Sequence, residues 1–304
     1  VIVNFDGVVA ILLTPFDENG AVDAESLQRL ACWYRSNGVA AIVTPAMASE
    51  VDKLSLVERE WVVKEAVAAL VGDTPVIGGV LGETGKEAAR LAEAALKAGC
   101  SAILCRAPEQ LLSDPEAAFL YFTNIASVGM QHLVIQDVSV ISKGIDNSLI
   151  LKLYQKIPAF RNLKLEVEMT NYKATQLIEA TDGDLHIWSG WALLQMIEAL
   201  DRGIRTFSPS AFHKPYVEIA RAYFAGNRPQ ALALFHTILP YVAWSRQNGD
   251  INLQLLKRFC VAQGLIRTSH TRQPVHPFDR YHETYAGELI ASMLEWQESV
   301  YYAP

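Results

Sequence analysis

From residue 7 to residue 226 the chain switches repeatedly between two hydrophobic periods. Short apolar or alternating runs lie at 7–14 (GVVAILLT), 40–45 (AAIVTP), 75–80 (PVIGGV), 101–106 (SAILCR), 132–138 (HLVIQDV), 160–167 (FRNLKLEV), 185–188 (LHIW) and 204–208 (IRTFS). Their lengths and β-branched content predict strands. Between them apolar residues recur at every third or fourth position, which predicts helices over 23–37, 57–71, 86–98, 114–128, 147–156, 171–180, 191–201 and 213–225. Asp23 and Ser55 fit N-caps, and Glu58, three residues after Ser55, completes a capping box. Asn37-Gly38 and Ala98-Gly99 fit helix ends. Strands alternating with helices imply a parallel sheet, and eight such units imply closure into a (β/α)₈ TIM barrel. A doubly wound open sheet would need a reversal of strand order and, usually, a glycine-rich phosphate turn. Gly82-Glu83-Thr84-Gly85-Lys86-Glu87 lacks the P-loop spacing and the Ser/Thr after the lysine.

After residue 226 the strands stop. Residues 228–247, 250–263 and 280–299 read as helices, the last two joined by a polar, proline-bearing link at 267–279. The expected organisation is a barrel over 1–226 and a C-terminal helical region, a three-helix appendage, over 227–304. Phe235, Ile238, Leu239 and Val242 lie at helical spacing, an apolar face for docking on the barrel or on another subunit.

Composition narrows the function classes. The 304 residues are 51% hydrophobic and 19% charged, with a net charge of −7. No basic run interleaved with aromatics appears, so a nucleic-acid partner is not expected. No apolar run reaches about 18 residues, so no membrane span is expected. The opening VIVNFDGVVAILLTPFD lacks a basic n-region, which argues against a signal peptide and for a cytoplasmic protein. Cys32, Cys100, Cys105 and Cys260 form no CxxC pair and read as reduced structural thiols. There is no HExxH, no facing carboxylate cluster and no dinucleotide fingerprint, so neither a metal nor another cofactor is expected.

One strand breaks the apolar rule for barrels. In FRNLKLEVE (160–168), Leu163, Leu165 and Val167 alternate with Lys164, Glu166 and Glu168. Barrel strands are buried on both faces, so with the apolar set toward the helices the charged set faces the axis or the mouth. Residues two apart on a strand are separated by about 6.5–7 Å, which makes Glu166 a neighbour of Lys164 nearer the mouth. A desolvated lysine can lose its proton and attack a carbonyl. The same spacing also suits a buried structural ion pair. Barrel sites form at the C-terminal strand ends. Those ends supply Thr14, the run Met47-Ala48-Ser49-Glu50, Cys105, Arg106, Gln136, Asp137, Ser189, Gly190, Ser208 and Ser210. Trp188 and Trp191 flank Ser189-Gly190 as pocket walls or as core, and His213 reads as a surface histidine at a helix start.

The opening GVVAILLTPFDENGAVDAESL (7–27), the Leu54–Arg59 stretch, PVIGGVLGETGKEAARLAEAALKAGCSAIL (75–104), LIEAT (177–181), WSG (188–190) and KRFCVAQGLIR (257–267) resemble the dihydrodipicolinate synthase/N-acetylneuraminate lyase family. The resemblance implies a barrel with a three-helix tail, assembly as a homotetramer or homodimer, and a strand-6 lysine forming a Schiff base with pyruvate or another 2-keto acid. The family lysine falls on Lys164; a slipped alignment puts it on Val167, where no Schiff base is possible. The chain also departs from the pattern. The family's Gly-Thr-Thr-Gly-Glu loop reads Ala46-Met47-Ala48-Ser49-Glu50, and its strand-5 tyrosine aligns with Gln136. Glutamine hydrogen-bonds but does not titrate. The interface tyrosine aligns near Gln110, and the carboxylate-binding arginine near Ile141, with Lys143 close by.

Two readings follow. In the first the chain is a Schiff-base lyase, an aldolase or dehydratase. Lys164 is its nucleophile, Glu166 and Gln136 form an altered acid/base set, and Met47, Ala48, Ser49, Gly190 and Ser208 line the substrate. In the second the chain is an inactive relative that binds a metabolite or partner.

Overall fold

The computed structural model describes residues 5–70, 74–139, 143–190 and 193–301. Eight parallel strands close into a barrel in sequence order: β1 (Gly7–Ile11), β2 (Ala41–Thr44), β3 (Val76–Val80), β4 (Ala102–Cys105), β5 (Leu133–Val138), β6 (Phe160–Glu166), β7 (His186–Ser189) and β8 (Thr206–Phe207). Helices α1 (Ala24–Ser36), α2 (Leu56–Ala69), α3 (Gly85–Ala98), α4 (Pro115–Ala126), α5 (Asn147–Lys156), α6 (Thr170–Ala180), α7 (Met196–Asp201) and α8 (Lys214–Phe224) alternate with them. The expected caps form. Asp23 accepts from the Ser26 N–H, Ser55 and Glu58 make a reciprocal box, and Gly99 ends α3 at φ 108°, where a side chain would be strained. Residues 191–192 of the expected 191–201 helix lie outside the described residues; within the rest, α7 begins at Met196, after a left-handed Leu193 (φ 54°).

Strand parity sorts the core into two shells. Val9, Ile11, Ala41, Val43, Ile77, Ala102, Leu104, Val134 and Trp188 pack together inside the barrel. Val8, Ala10, Ile42, Ile103, Ile135, Leu163 and Leu165 belong to the larger cluster shared with the helices. On β6 this leaves Asn162, Lys164 and Glu166 on the inward face, since side chains alternate. The barrel floor is closed beneath Lys164. The Trp188 indole donates to Asn162 Oδ1 at 3.1 Å, and Phe5 meets the Trp188 ring edge-on at 5.3 Å.

Helices α9 (Arg228–Ser245), α10 (Gly249–Ala262) and α11 (Arg280–Tyr301) follow β8 and α8. The tail is laced onto the loops after β1 and β2. The Lys257 ammonium lies 2.5 Å from Glu50 and donates to the His270 carbonyl at 2.8 Å. The Arg272 guanidinium pairs with Glu58 at 2.5 Å, and its Nε donates to the Gly20 carbonyl at 2.8 Å. Phe16 is gripped by both cations, Lys257 at 4.3 Å and Arg272 at 4.4 Å from its ring centre. Among the described residues no helix is long and apolar enough to cross a membrane.

Candidate active site at the barrel mouth

The β5–β6–β7 register sets Gln136 beside Lys164 and Lys164 beside Trp188. Lys164 is 4% exposed, and its ammonium lies 3.3 Å from Glu166 Oε2. The same oxygen accepts a short hydrogen bond from Gln136 Nε2. The other oxygen, Oε1, faces Gly190; a Cβ on Gly190 would collide with it, so the missing side chain is what lets the carboxylate lie there. Lys164, Glu166, Gln136 and Gly190 thus come together. Val167 lies just past the end of β6, on the helix-facing parity.

The β2 loop is built differently. Ser49 is fully buried, donates to the Leu12 carbonyl at 2.5 Å and accepts from the Ala46 N–H at 3.0 Å. Thr14 donates to the Ser49 carbonyl at 2.7 Å. Both hydroxyls tie the β1 and β2 ends together, so the Ser49 hydroxyl is spent on backbone. Met47 is 45% exposed, and its sulfur lies 3.9 Å from Gln136 Nε2; Ala48 beside it is half-buried. Ser208 follows β8 with the inward parity of Thr206. Its hydroxyl is buried and, among the described residues, has no hydrogen-bond partner. A buried orphan hydroxyl in a strand-end site calls for a ligand or water.

Other strand-end candidates are placed elsewhere. Cys105 packs in the helix-side cluster, and burial pushes its thiol far up, away from nucleophilic use. Asp137 points outward, and burial raises it against the pull of Lys173 at 2.7 Å. Arg106 pairs with Asp52 at 3.3 Å. Gln110 and Lys143 are exposed, while Trp191 and Ile141 lie outside the described residues. The surface expectation for His213 is corrected. It is fully buried at the start of α8, because Trp33 and Tyr34 of α1 pack over its ring. Burial pushes its imidazole down to about 3, so it is neutral at physiological pH.

A cleft of about 470 Å³ opens beside Glu166 and Gly190. Glu168, Tyr172, Arg202 and Arg246 line its outer part. Lys164 is absent from this wall; Glu166 stands between the cleft and the amine. Arg246 comes from the end of α9. No periodicity in the sequence brings it to a site 80 residues away in the chain, and tertiary packing alone does so. Among the described residues no group of three or more His, Cys, Asp or Glu side chains is placed to hold a metal ion.

Comparison with known proteins agrees with this architecture. The chain is 29% identical over 287 residues to the 4-hydroxy-tetrahydrodipicolinate synthase of Nitrosococcus oceani, covering 92% of this chain and 95% of that protein. Its fold superimposes on the 4-hydroxy-tetrahydrodipicolinate synthase of Methylacidiphilum fumariolicum with a TM-score of 0.89 at 22% identity, over 98% and 99% of the two chains. It also superimposes on the dihydrodipicolinate synthase of Acinetobacter baumannii, solved with pyruvate, with a TM-score of 0.86 at 22% identity over 95% and 99%. The model of the dihydrodipicolinate synthetase family matches residues 4–292. This chain therefore belongs to the dihydrodipicolinate synthetase family.

Proposed function

We propose that the protein is a Schiff-base lyase acting on pyruvate or another 2-keto acid through Lys164. The observation that carries the reading is the buried, inward-facing amine with Glu166 at 3.3 Å and an open cleft on the far side of that carboxylate. The neutral amine attacks the keto carbon and forms a carbinolamine. Loss of water, with a proton that Glu166 takes up from solvent through the cleft and passes to the leaving hydroxyl, gives the iminium. Glu166, again a carboxylate, then removes a proton from C3, the carbon next to the iminium carbon, and so forms the enamine that adds to, or is released from, a second carbonyl compound. Gln136 orients Glu166 through its amide and cannot relay the proton itself. Ser208 offers an unspent hydroxyl for the substrate. With Met47 and Ala48 at the β2 loop, a keto acid with a bulky apolar extension fits better than a small polar one. Assembly as a homodimer or homotetramer belongs to the same reading, and sedimentation tests it.

Borohydride reduction in the presence of pyruvate, or of a longer 2-keto acid such as phenylpyruvate, is expected to leave one covalent adduct on Lys164, located by peptide mass. No adduct with any keto acid tried would defeat the proposal.

A second reading is favoured by two contacts: Lys164 is already paired with Glu166, and Met47 leans on Gln136. In that reading the chain binds a metabolite without turning it over. Turnover that disappears in Lys164→Ala would remove it.

A further inference from the structure

We propose that Arg246 is a positioning residue for the Lys164–Glu166 pair, a second cation sharing the cleft with the Glu166 carboxylate, that lets the amine of Lys164 give up its proton. The inference rests on the Schiff-base reading above. Glu166, from β6, and Arg246, from the end of α9, line one cleft, and the Lys164 amine sits 3.3 Å behind Glu166. Burial draws the Arg246 guanidinium below the usual arginine range, and the negative charge of Glu166 acts against that fall, so the two groups attract.

The physics follows from counting charges. A lysine paired with a single buried carboxylate is held as an ammonium, because neutralising it would strand the carboxylate in a poor dielectric. A second cation near that carboxylate removes the obstacle: after the lysine proton leaves, one charge of each sign remains. The other charged and titratable groups facing Glu166 do not fill this role. Arg202, on the far wall, is held by Glu198 at 2.9 Å and by the Thr175 hydroxyl at 2.7 Å. Lys173 is tied to Asp137 at 2.7 Å on the outer side of β5. Glu168 and Glu198 share Glu166's sign, and Tyr172 is an exposed phenol on the rim. The C-terminal region thus supplies the site with a charge that the barrel strands lack.

The test uses the whole chain, with pyruvate and borohydride as the probe, and follows the labelling rate of Lys164 against pH. In Arg246→Gln the acid-side midpoint is expected to move up by about one pH unit, which slows labelling near pH 7 about tenfold. Arg246→Lys keeps the charge and is expected to restore at least half of that shift. Arg246→Met replaces the glutamine variant should the latter fail to fold. A midpoint unchanged from the native protein overturns the inference. So does a uniform loss of rate at every pH, or a lysine variant that shifts as far as the glutamine one. Native protein that labels normally while the variants keep its midpoint defeats this inference alone. Native protein that never labels defeats the Schiff-base reading and this inference together.

Discussion

Lys257 and Lys164 are both buried lysines paired with a glutamate, one at the seam between tail and barrel and the other inside the barrel. At the seam every valence is filled. The Lys257 ammonium has Glu50 at 2.5 Å, the His270 carbonyl at 2.8 Å and the Phe16 ring at 4.3 Å. Glu50 in turn takes the Arg272 N–H at 3.0 Å and Lys53 at 3.3 Å. Burial draws Lys257 down to about 8 even with Glu50 opposing. Inside the barrel, Lys164 has Glu166 at 3.3 Å and, among the described residues, no backbone carbonyl as a further acceptor. Burial is common to the two lysines; they differ in the number of their partners and in the cleft that opens beside Glu166.

That contrast can be broken or sharpened by substitution. The largest effect is expected from Glu166→Gln, which removes the carboxylate proposed to carry the proton and keeps the shape. Exchange of pyruvate methyl protons with deuterated water, followed by NMR, should slow by about 10²–10⁴-fold. Borohydride labelling of Lys164 should persist. Exchange at the native rate would take acid/base work away from Glu166. Next in size is Lys257→Met, which takes from buried Glu50 its nearest cation, leaving Lys53 and the Arg272 N–H, and should cost about 3–5 kcal/mol of stability in denaturant unfolding. The double change Lys257→Met with Glu50→Leu should recover most of the loss. Lys164→Met should cost less than Lys257→Met, because it removes one ion pair where Lys257→Met removes an ion pair, a hydrogen bond to the His270 carbonyl and the contact with the Phe16 ring. An equal cost would erase the distinction between the two lysines.

The smallest effect concerns Glu58, which the Arg272 guanidinium holds down to about 2, from an ordinary 4.5. The folded value lies below the unfolded one, so the stabilisation is complete above about pH 4.5 and is lost as pH falls toward 2. The gap in melting temperature between the native protein and Glu58→Gln should therefore close over that window. A gap that stays constant would mean that Arg272 contributes packing rather than charge.

The barrel was legible because each β/α unit carries its own local signals. Asp23, Ser55 and Gly99 mark helix ends by hydrogen-bond and backbone needs that neighbouring sequence satisfies. The parity of β6 was legible for the same reason: period-two alternation is local, and Leu163 and Leu165 do pack against the helices. What depends on distant chain was not legible. The hydroxyl of Ser49 looks available in the sequence, and the structure gives it to the Leu12 carbonyl, 37 residues away. His213 looks like a surface helix start and is covered by α1. The place of Arg246 at the mouth depends on how α9 packs, which no short pattern encodes.

The seam has a consequence for how the chain is made. Glu50 and its partner Lys257 are 207 residues apart. On the ribosome Glu50 emerges with the second strand, and the ammonium that balances it emerges after all eight strands have been synthesised. Until then the growing chain offers Glu50 the neighbouring Lys53 in place of Lys257. The β2 loop therefore gains its full set of contacts only once α10 and the segment that carries His270 and Arg272 have been made.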